Sequence, residues 1–261
     1  MKWYEIKALA GRVAEIFIFD VIVDYAWDES EVTAKGFIDD LQALGDLDEI
    51  RVRINSPGGS VYAGNVIYNV LKRQSAKVTV IVDGIAASIA SVVAMAGDTV
   101  IMPANAMMMI HNPMAYANGN AEDLQKVINR LETAKVGMLA SYSSKTGLSE
   151  EKLIEMLDAE TWLTATEAKE LGFADEVGQP VQMAAEFDLS RYHNPPQSLT
   201  NKQQPSAPQP LAPVAQQSPA RGEDPMKLEE LQAKHPDLYA TVVANAKKAG
   251  HDEGLQAGIA A

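Results

Sequence analysis

Cysteine is absent from this chain of 261 residues. Its absence removes disulfide frameworks, thiolate nucleophiles and Cys-ligated zinc, and it fits a reducing compartment. Histidine is scarce: the chain has four, with no close pair, so no metal site is expected. Long apolar runs are missing too. The longest weakly polar stretch, residues 84–97, is about 14 residues between Asp83 and Asp98, whereas a membrane span needs roughly 20. The opening MKWYEIKALAGR lacks the apolar core of a signal peptide. A soluble protein without membrane contact is expected. Positive charge is in deficit. The net charge is −13, and residues from 195 onward carry six Lys/Arg against seven Asp/Glu, leaving about −12 on residues 1–194. A surface that acidic repels phosphate backbones, which argues against nucleic acid as a partner.

What is present divides into three zones. Residues 1–194 alternate apolar runs with amphipathic stretches, and the 47% hydrophobic content is enough for a packed core. Residues 195–225 hold eight of the 13 prolines and much of the glutamine. Such a segment buries too little apolar area to offset its ordering entropy and reads as a disordered linker. Residues 226–261 regain helical spacing at Leu228, Leu231, Leu238, Val242 and Ala246. This tail is too short for its own core and reads as a helical segment that needs a partner.

In the first zone, strands are predicted over 13–19, 50–54, 78–82, 99–102 and 107–110, and helices over 30–44, 61–73, 88–96, 121–145 and 149–157. Strands alternating with helices predict an α/β fold of βαβ units around a mainly parallel sheet. The 121–145 helix is long, with Asn120 as its N-cap and Gly147 as its stop. Its apolar positions suit either a core-packed helix or a protruding arm that meets another subunit.

Chemistry is sought first at histidine, the commonest general base near neutral pH. His235 and His251 lie beyond the linker and His193 at its edge, which leaves His111, in MMMIHNP, inside the folded zone. A lone histidine at a strand end is often structural. The run VTVIVDGIAASIASVVAMAG reads as strand, turn and helix, and it puts Ser88 at a helix start. Free N–H groups and the positive dipole end favour negative charge there. Ser88 is either a plain N-cap or a nucleophile. Ser91 falls one turn inside, where its hydroxyl can bond back to a carbonyl. The turn NSPGGSVYAG, with Gly58 and Gly59, frees backbone N–H groups to face a ligand. It lacks the GK[ST] of a phosphate loop and the spaced glycines of a dinucleotide site, so no cofactor is expected.

INSPGG, GIAAS, MIH and TWLTATEAKELGFAD, in that order, resemble the ClpP family of serine peptidases over roughly residues 10–180. The likeness is closest to the ClpP-like head-maturation proteases of tailed phages and prophages, through AETWLTATEA, the Pro/Gln-rich linker and the helical tail. The resemblance implies a ClpP/crotonase-like spiral fold in which the 121–145 helix is a protruding "handle" joining stacked homo-oligomeric rings. It implies Ser88 as nucleophile and His111 as general base. Gly59 and Ile89 would supply oxyanion N–H groups, with Gly58 and Ser60 in the backbone segment that binds substrate. The family's usual Asp aligns with Glu160, and Asp158 is the alternative acid. The turn after Ser88 reads Ile-Ala-Ser rather than the more usual Met-Gly.

From this resemblance the expected function is a serine endopeptidase cleaving capsid and scaffold proteins in the host cytoplasm, within the prohead. Only about a dozen residues precede the first predicted strand, which argues against the axial gate and ATPase partner of cellular ClpP rings. A cellular chamber protease fed by an ATPase is the alternative. A crotonase-like acyl-CoA enzyme and an inactive protease fold serving as a scaffold are readings of other classes. Met226 opens a helical pattern after Arg-Gly-Glu-Asp-Pro, whose codons can be purine-rich, so it is either an internal translation start or an ordinary methionine. The final GIAA carries no stop pattern, and a longer natural chain is expected.

Overall fold

The computed structural model describes residues 2–24, 33–181, 188–196 and 199. Chain contacts separate Met1–Gln203 from Gln204–Ala261, and all described residues fall in the first unit. The tail over 226–261 and Met226 lie outside the described residues, as does the linker apart from Pro195, Pro196 and Leu199.

Eight strands form one mixed sheet. Its path runs β1 (Tyr4–Leu9), β2 (Val13–Phe19), β3 (Glu49–Ser56), β4 (Lys77–Ala87), β5 (Thr99–Pro103) and β8 (Glu176–Gly178). β6 (Met107–Ile110) pairs with β4 off this path, and β7 (Thr161–Thr164) pairs with β6. The pairings are parallel except β1 with β2 and β6 with β7. Period-two alternation explains the central strands. Ala14, Ile16, Ile18, Ile50, Val52, Ile54, Val78, Val80 and Val82 form one buried face. Their neighbours along each strand carry charge on the other face, where Arg53 grips Asp83 through two bonds of 2.6 and 2.7 Å.

The buried face packs on α1 (Ala34–Gln42), α2 (Val61–Lys72) and α3 (Ile89–Ala94) through Phe37, Leu41, Ile67, Leu71 and Val92. α1 starts at Ala34 and ends at Gln42, inside the predicted 30–44 span, while α2 starts at Val61 as predicted. The hydroxyls of Thr33 and Ser60 accept from the N–H groups of Gly36 and Ala63. α4 (Ala121–Thr146), α5 (Glu150–Asp158) and α6 (Ala165–Glu170) follow β6 and frame β7.

Several boundaries differ from expectation. The first strand begins at Tyr4, ahead of Val13, so far fewer residues precede the sheet than predicted. β1 alternates apolar and polar residues through Tyr4, Ile6 and Ala8, but only Tyr4 is buried, and the predicted strands began at Val13. β7, α6 and β8, each six residues or shorter, were also not among the predicted elements. The helix predicted over 88–96 is shorter, because Ser88 is not helical and Met95 is the C-cap.

α4 spans 26 residues and opens with a reciprocal capping box between Asn120 and Asp123. Only Met138, Leu139, Ser141 and Tyr142 on it are buried. The earlier apolar positions Leu124 and Ile128 are 40% and 50% exposed, so the outer part of α4 packs on no core among the described residues.

Candidate active site

An irregularity in β4 makes the site possible. Between the pairs Ile54–Val82 and Ser56–Ala86, β3 advances two residues while β4 advances four. The surplus kinks β4, and the buried Asn55 side chain accepts from the Ile85 N–H at 3.2 Å across the gap. Before the kink β4 pairs with β5, and after it Ile85, Ala86 and Ala87 pair with Met107, Met108 and Met109. Ser88 and His111 therefore emerge at the ends of neighbouring strands. Pairing of Ile110 with Thr161 across β6 and β7 sets Glu160 beside the same strand end.

Ser88 is not an ordinary helix cap. Its φ of 55° and ψ of −129° are strained for a residue with a Cβ, and its side chain makes no capping bond. The hydroxyl instead meets His111 Nε2 at 2.8 Å. The strain is held by tertiary bonds: Ser88 N–H donates to Met109 O at 2.9 Å, and Ser91 N–H donates to Ser88 O at 2.9 Å. Ser91 turns inward, as its place one turn into the helix predicts. It is fully buried, and its hydroxyl donates to Ser88 O at 2.6 Å and pairs with Tyr142 OH at 2.8 Å.

The Gly-Gly turn lies against Ser88. A Cβ on Gly58 would come within 2.7 Å of both Ala87 O and Ser88 Cβ, and one on Gly59 within 2.1 Å of Ile22 O. Both positions have positive φ, 90° and 151°. Only glycine fits there. Ile22 bridges the turn by donating to Gly58 O and accepting from Ser60 N–H, at 2.9 and 2.7 Å. Gly59 N–H takes no part in that bridge. Ile89 opens α3, and first-turn N–H groups lack an intrahelical acceptor. The Ser60 hydroxyl is already engaged, capping α2 and donating to Asp24 at 2.9 Å.

The two carboxylates differ sharply. Asp158 ends α5 with a 58% exposed side chain, and it accepts from Asn112 Nδ2 at 2.7 Å and Lys135 at 3.2 Å. Glu160 is buried, at a φ of 49°. Its oxygens accept from His193 N–H at 2.9 Å, Asn194 N–H at 2.6 Å and Trp162 Nε1 at 3.3 Å. Burial alone would raise the Glu160 pKa. The two amides, the indole and the nearby imidazole outweigh it and hold the carboxyl below its ordinary range. Among the described residues no hydrogen bond joins Glu160 to His111; the charge acts through space. For His111, burial dominates and lowers the pKa, Glu160 opposes it, and Arg191 and His193 reinforce it. The imidazole is thus kept neutral and able to take a proton.

A cleft of about 310 Å³ opens on Ser88 and His111. Gly59, Val61, Met114, Tyr116 and Met138 line one part, and Arg191, Tyr192 and His193 another. Sequence reasoning missed this second wall. His193 was expected only at the edge of the folded zone, yet it lines the cleft. The one available signal was an aromatic and a histidine side by side just before Pro195 and Pro196. Among the described residues no group of three His, Asp or Glu is placed to hold a metal ion, and no helix is long and apolar enough to cross a membrane.

A serine and a histidine in contact at the ends of adjacent strands, beside a buried carboxylate and a glycine turn, place a hydroxyl proton within reach of a neutral imidazole. Residues 4–181 match the Clp protease family, and the chain belongs to it. The mixed α/β fold with its eight-stranded sheet agrees with the ClpP fold. Among curated relatives, the ATP-dependent Clp protease proteolytic subunits of two Bacteroides fragilis strains are each 40% identical over 131 residues. The aligned part is 49% of this chain and 63% or 60% of the relatives, so the chain spans less than two thirds of their length.

Proposed function

We propose that the chain is a serine endopeptidase with Ser88 as nucleophile and His111 as general base. The observation that carries this reading is the 2.8 Å contact between Ser88 Oγ and His111 Nε2, made by a serine in a strained conformation that leaves its hydroxyl off the helix cap. Ser88 Oγ attacks the peptide carbonyl carbon while His111 Nε2 takes the hydroxyl proton. The negative oxygen of the tetrahedral adduct is met by the N–H groups of Gly59 and Ile89. His111 then gives its proton to the departing amine, and a water deprotonated by His111 hydrolyses the acyl-enzyme.

Glu160 is the acid partner in this reading, because it is the buried carboxylate whose field reaches His111. Asp158 is turned to solvent and tied to Lys135. Gly58 and Ser60 contribute backbone to an extended substrate alongside the Gly-Gly turn. No cofactor takes part. A fluorophosphonate probe tests the reading: it should label the wild type at Ser88 and leave Ser88→Ala unlabelled. A wild type that stays unlabelled beside a reactive control hydrolase overturns it and leaves the scaffold reading.

The substrates we propose are phage capsid and scaffold proteins, cut during head maturation in the host cytoplasm. The Pro/Gln-rich segment and the helical spacing in the sequence of residues 226–261 support this, since a protease fused to a scaffold-like segment would be packaged with its substrates. The protomers would form rings, stacked through the outer part of α4, whose apolar side chains pack on no core among the described residues. A second reading is a chamber protease fed by an ATPase, favoured by the likeness to the ATP-dependent Clp protease proteolytic subunits of Bacteroides fragilis. Co-expression with neighbouring structural proteins, wild type against Ser88→Ala, followed by mass spectrometry of new termini, separates the two. New termini on capsid or scaffold proteins support the first reading. Cleavage that appears only when a Clp-type ATPase and ATP are added supports the second.

A further inference from the structure

Residues 188–196 lie beyond the 4–181 span that matches the family, yet they close around the site. Leu189 and Tyr192 are 5% exposed and pack with Ile85, Ala87, Met109 and Trp162. The Tyr192 ring stands edge-to-face on the His111 ring at 5.3 Å and on Trp162 at 5.9 Å. Its hydroxyl donates to Pro57 O at 2.5 Å, anchoring the segment to the Gly-Gly turn. The next two backbone N–H groups, from His193 and Asn194, both end on the Glu160 carboxylate. One short segment therefore touches the base, the acid and the proposed oxyanion turn.

We infer that residues 188–194 are a positioning element for the active site: the Tyr192 ring fixes the His111 imidazole, and the His193 and Asn194 amides clamp the Glu160 carboxylate beside it. The inference rests on the peptidase reading above. Its physical reason lies in the acid. Glu160 carries one more methylene than the aspartate usual in the family, and it follows a backbone kink at φ 49°. A longer side chain has more rotamers to lose, so an outer clamp of two amides restores the order that a shorter acid has by itself. The segment walls the cleft without filling it, since Ser88 and His111 both still line about 310 Å³ of open space.

The groups that act on His111 are Ser88, Tyr192, Glu160, Arg191 and His193. Removing the Tyr192 ring admits water to the imidazole. That relieves the burial that holds its pKa down, so the acid limb of reactivity should move to higher pH. The test is the rate of fluorophosphonate labelling at Ser88 against pH, in the full chain. Tyr192→Ala should label about tenfold more slowly at neutral pH, in line with the cost of a misplaced base, with its acid limb displaced upward. Tyr192→Phe keeps the ring and should restore the limb and most of the lost rate. Asn194→Pro deletes one N–H donor at an exposed residue and should slow labelling several-fold.

Failure of the wild type to label sinks the peptidase reading itself. A labelled wild type matched in rate and pH profile by Tyr192→Ala and Asn194→Pro overturns the positioning role alone. Faster labelling of either variant also overturns it, because the segment would then be covering the site. Circular dichroism checks the fold, and if Tyr192→Ala does not fold, Asn194→Pro decides.

Discussion

The strand ends around Ser88 and the outer half of α4 are built on opposite principles. At the strand ends, buried polar groups are held one by one. Asn55 closes the β4 kink, Met109 O takes the Ser88 N–H, and two amides and an indole take Glu160. Two residues there, Ser88 and Glu160, adopt positive φ that nothing local favours. The outer half of α4 is locally regular and opens with a capping box, and none of the helix's buried residues lies on it. The first region gains order from the rest of the chain at the expense of local preference. The second satisfies local preference and leaves apolar side chains exposed among the described residues. Strain surrounded by satisfied polar groups points to chemistry at the first as a hypothesis, and exposed apolar side chains on a regular helix point to assembly at the second.

The sharpest way to break this contrast is at Ser88 and His111. Ser88→Ala or His111→Ala should each lower peptide cleavage by about 10⁶-fold, and the double variant should fall no further, because the pair acts as a unit. Additive losses, read from kcat/KM, would separate the two residues and undo the site. Next come the carboxylates. Glu160→Gln should cut kcat by about 10²–10⁴-fold by removing the charge near the imidazolium, while Asp158→Asn should stay within about twofold, as for an exposed ion pair. The reverse ranking would transfer the acid role to Asp158.

The pH dependence follows from the shifts. His111 must be neutral to act, and its pKa lies below the ordinary 6.5, so the acid limb of kcat/KM should fall below pH 6.5. Stability has the same sign. Between 6.5 and the lowered His111 value, the unfolded chain binds a proton that the folded chain resists, so acidification destabilises. Glu160, depressed below its ordinary 4.5, stabilises fully above that pH, and its contribution is lost as pH falls through its folded value. Chemical denaturation at pH 7 and 4 should show the loss, and Glu160→Gln should reduce it.

At the other region, Ile128→Glu should dissociate the oligomer in sedimentation while shifting protomer stability by no more than about 0.5 kcal/mol, as for an exposed site. An unchanged assembly would move the subunit contact away from α4. The smallest effect belongs to the cap: Asn120→Ala should cost about 1 kcal/mol of helix stability, visible in melting and silent in labelling.

Much of the fold was legible because it rests on local signals. The alternation in IRVRI, the Asn120 cap and the spacing of α4 each name an element without reference to the rest. β1 and β7 were not among the predicted strands; they are short and mostly unburied, and pair with β2 and β6. At the site, Ser88, His111 and the Gly-Gly turn were legible as a set, through the order in which they occur. Tyr192 and the two amides that hold Glu160 were not, because backbone donors leave no trace in residue identity.

By itself, then, the sequence determined which groups could do chemistry. It offers one histidine within the strand-and-helix core, a serine where a strand turns into a helix, glycines where only glycine fits, and no thiol to compete. The tertiary structure alone decided how they meet. The extra residues in β4 switch its partner from β5 to β6 and bring Ser88 to His111. The antiparallel pairing of β6 with β7 sets Glu160 beside the strand end that carries His111, while Asp158 faces solvent. The return of residues 188–196 then closes the polar contacts around them. The reason is physical: residue types set what a side chain can donate, accept or bury, while distance and desolvation arise only when separate strands are brought together.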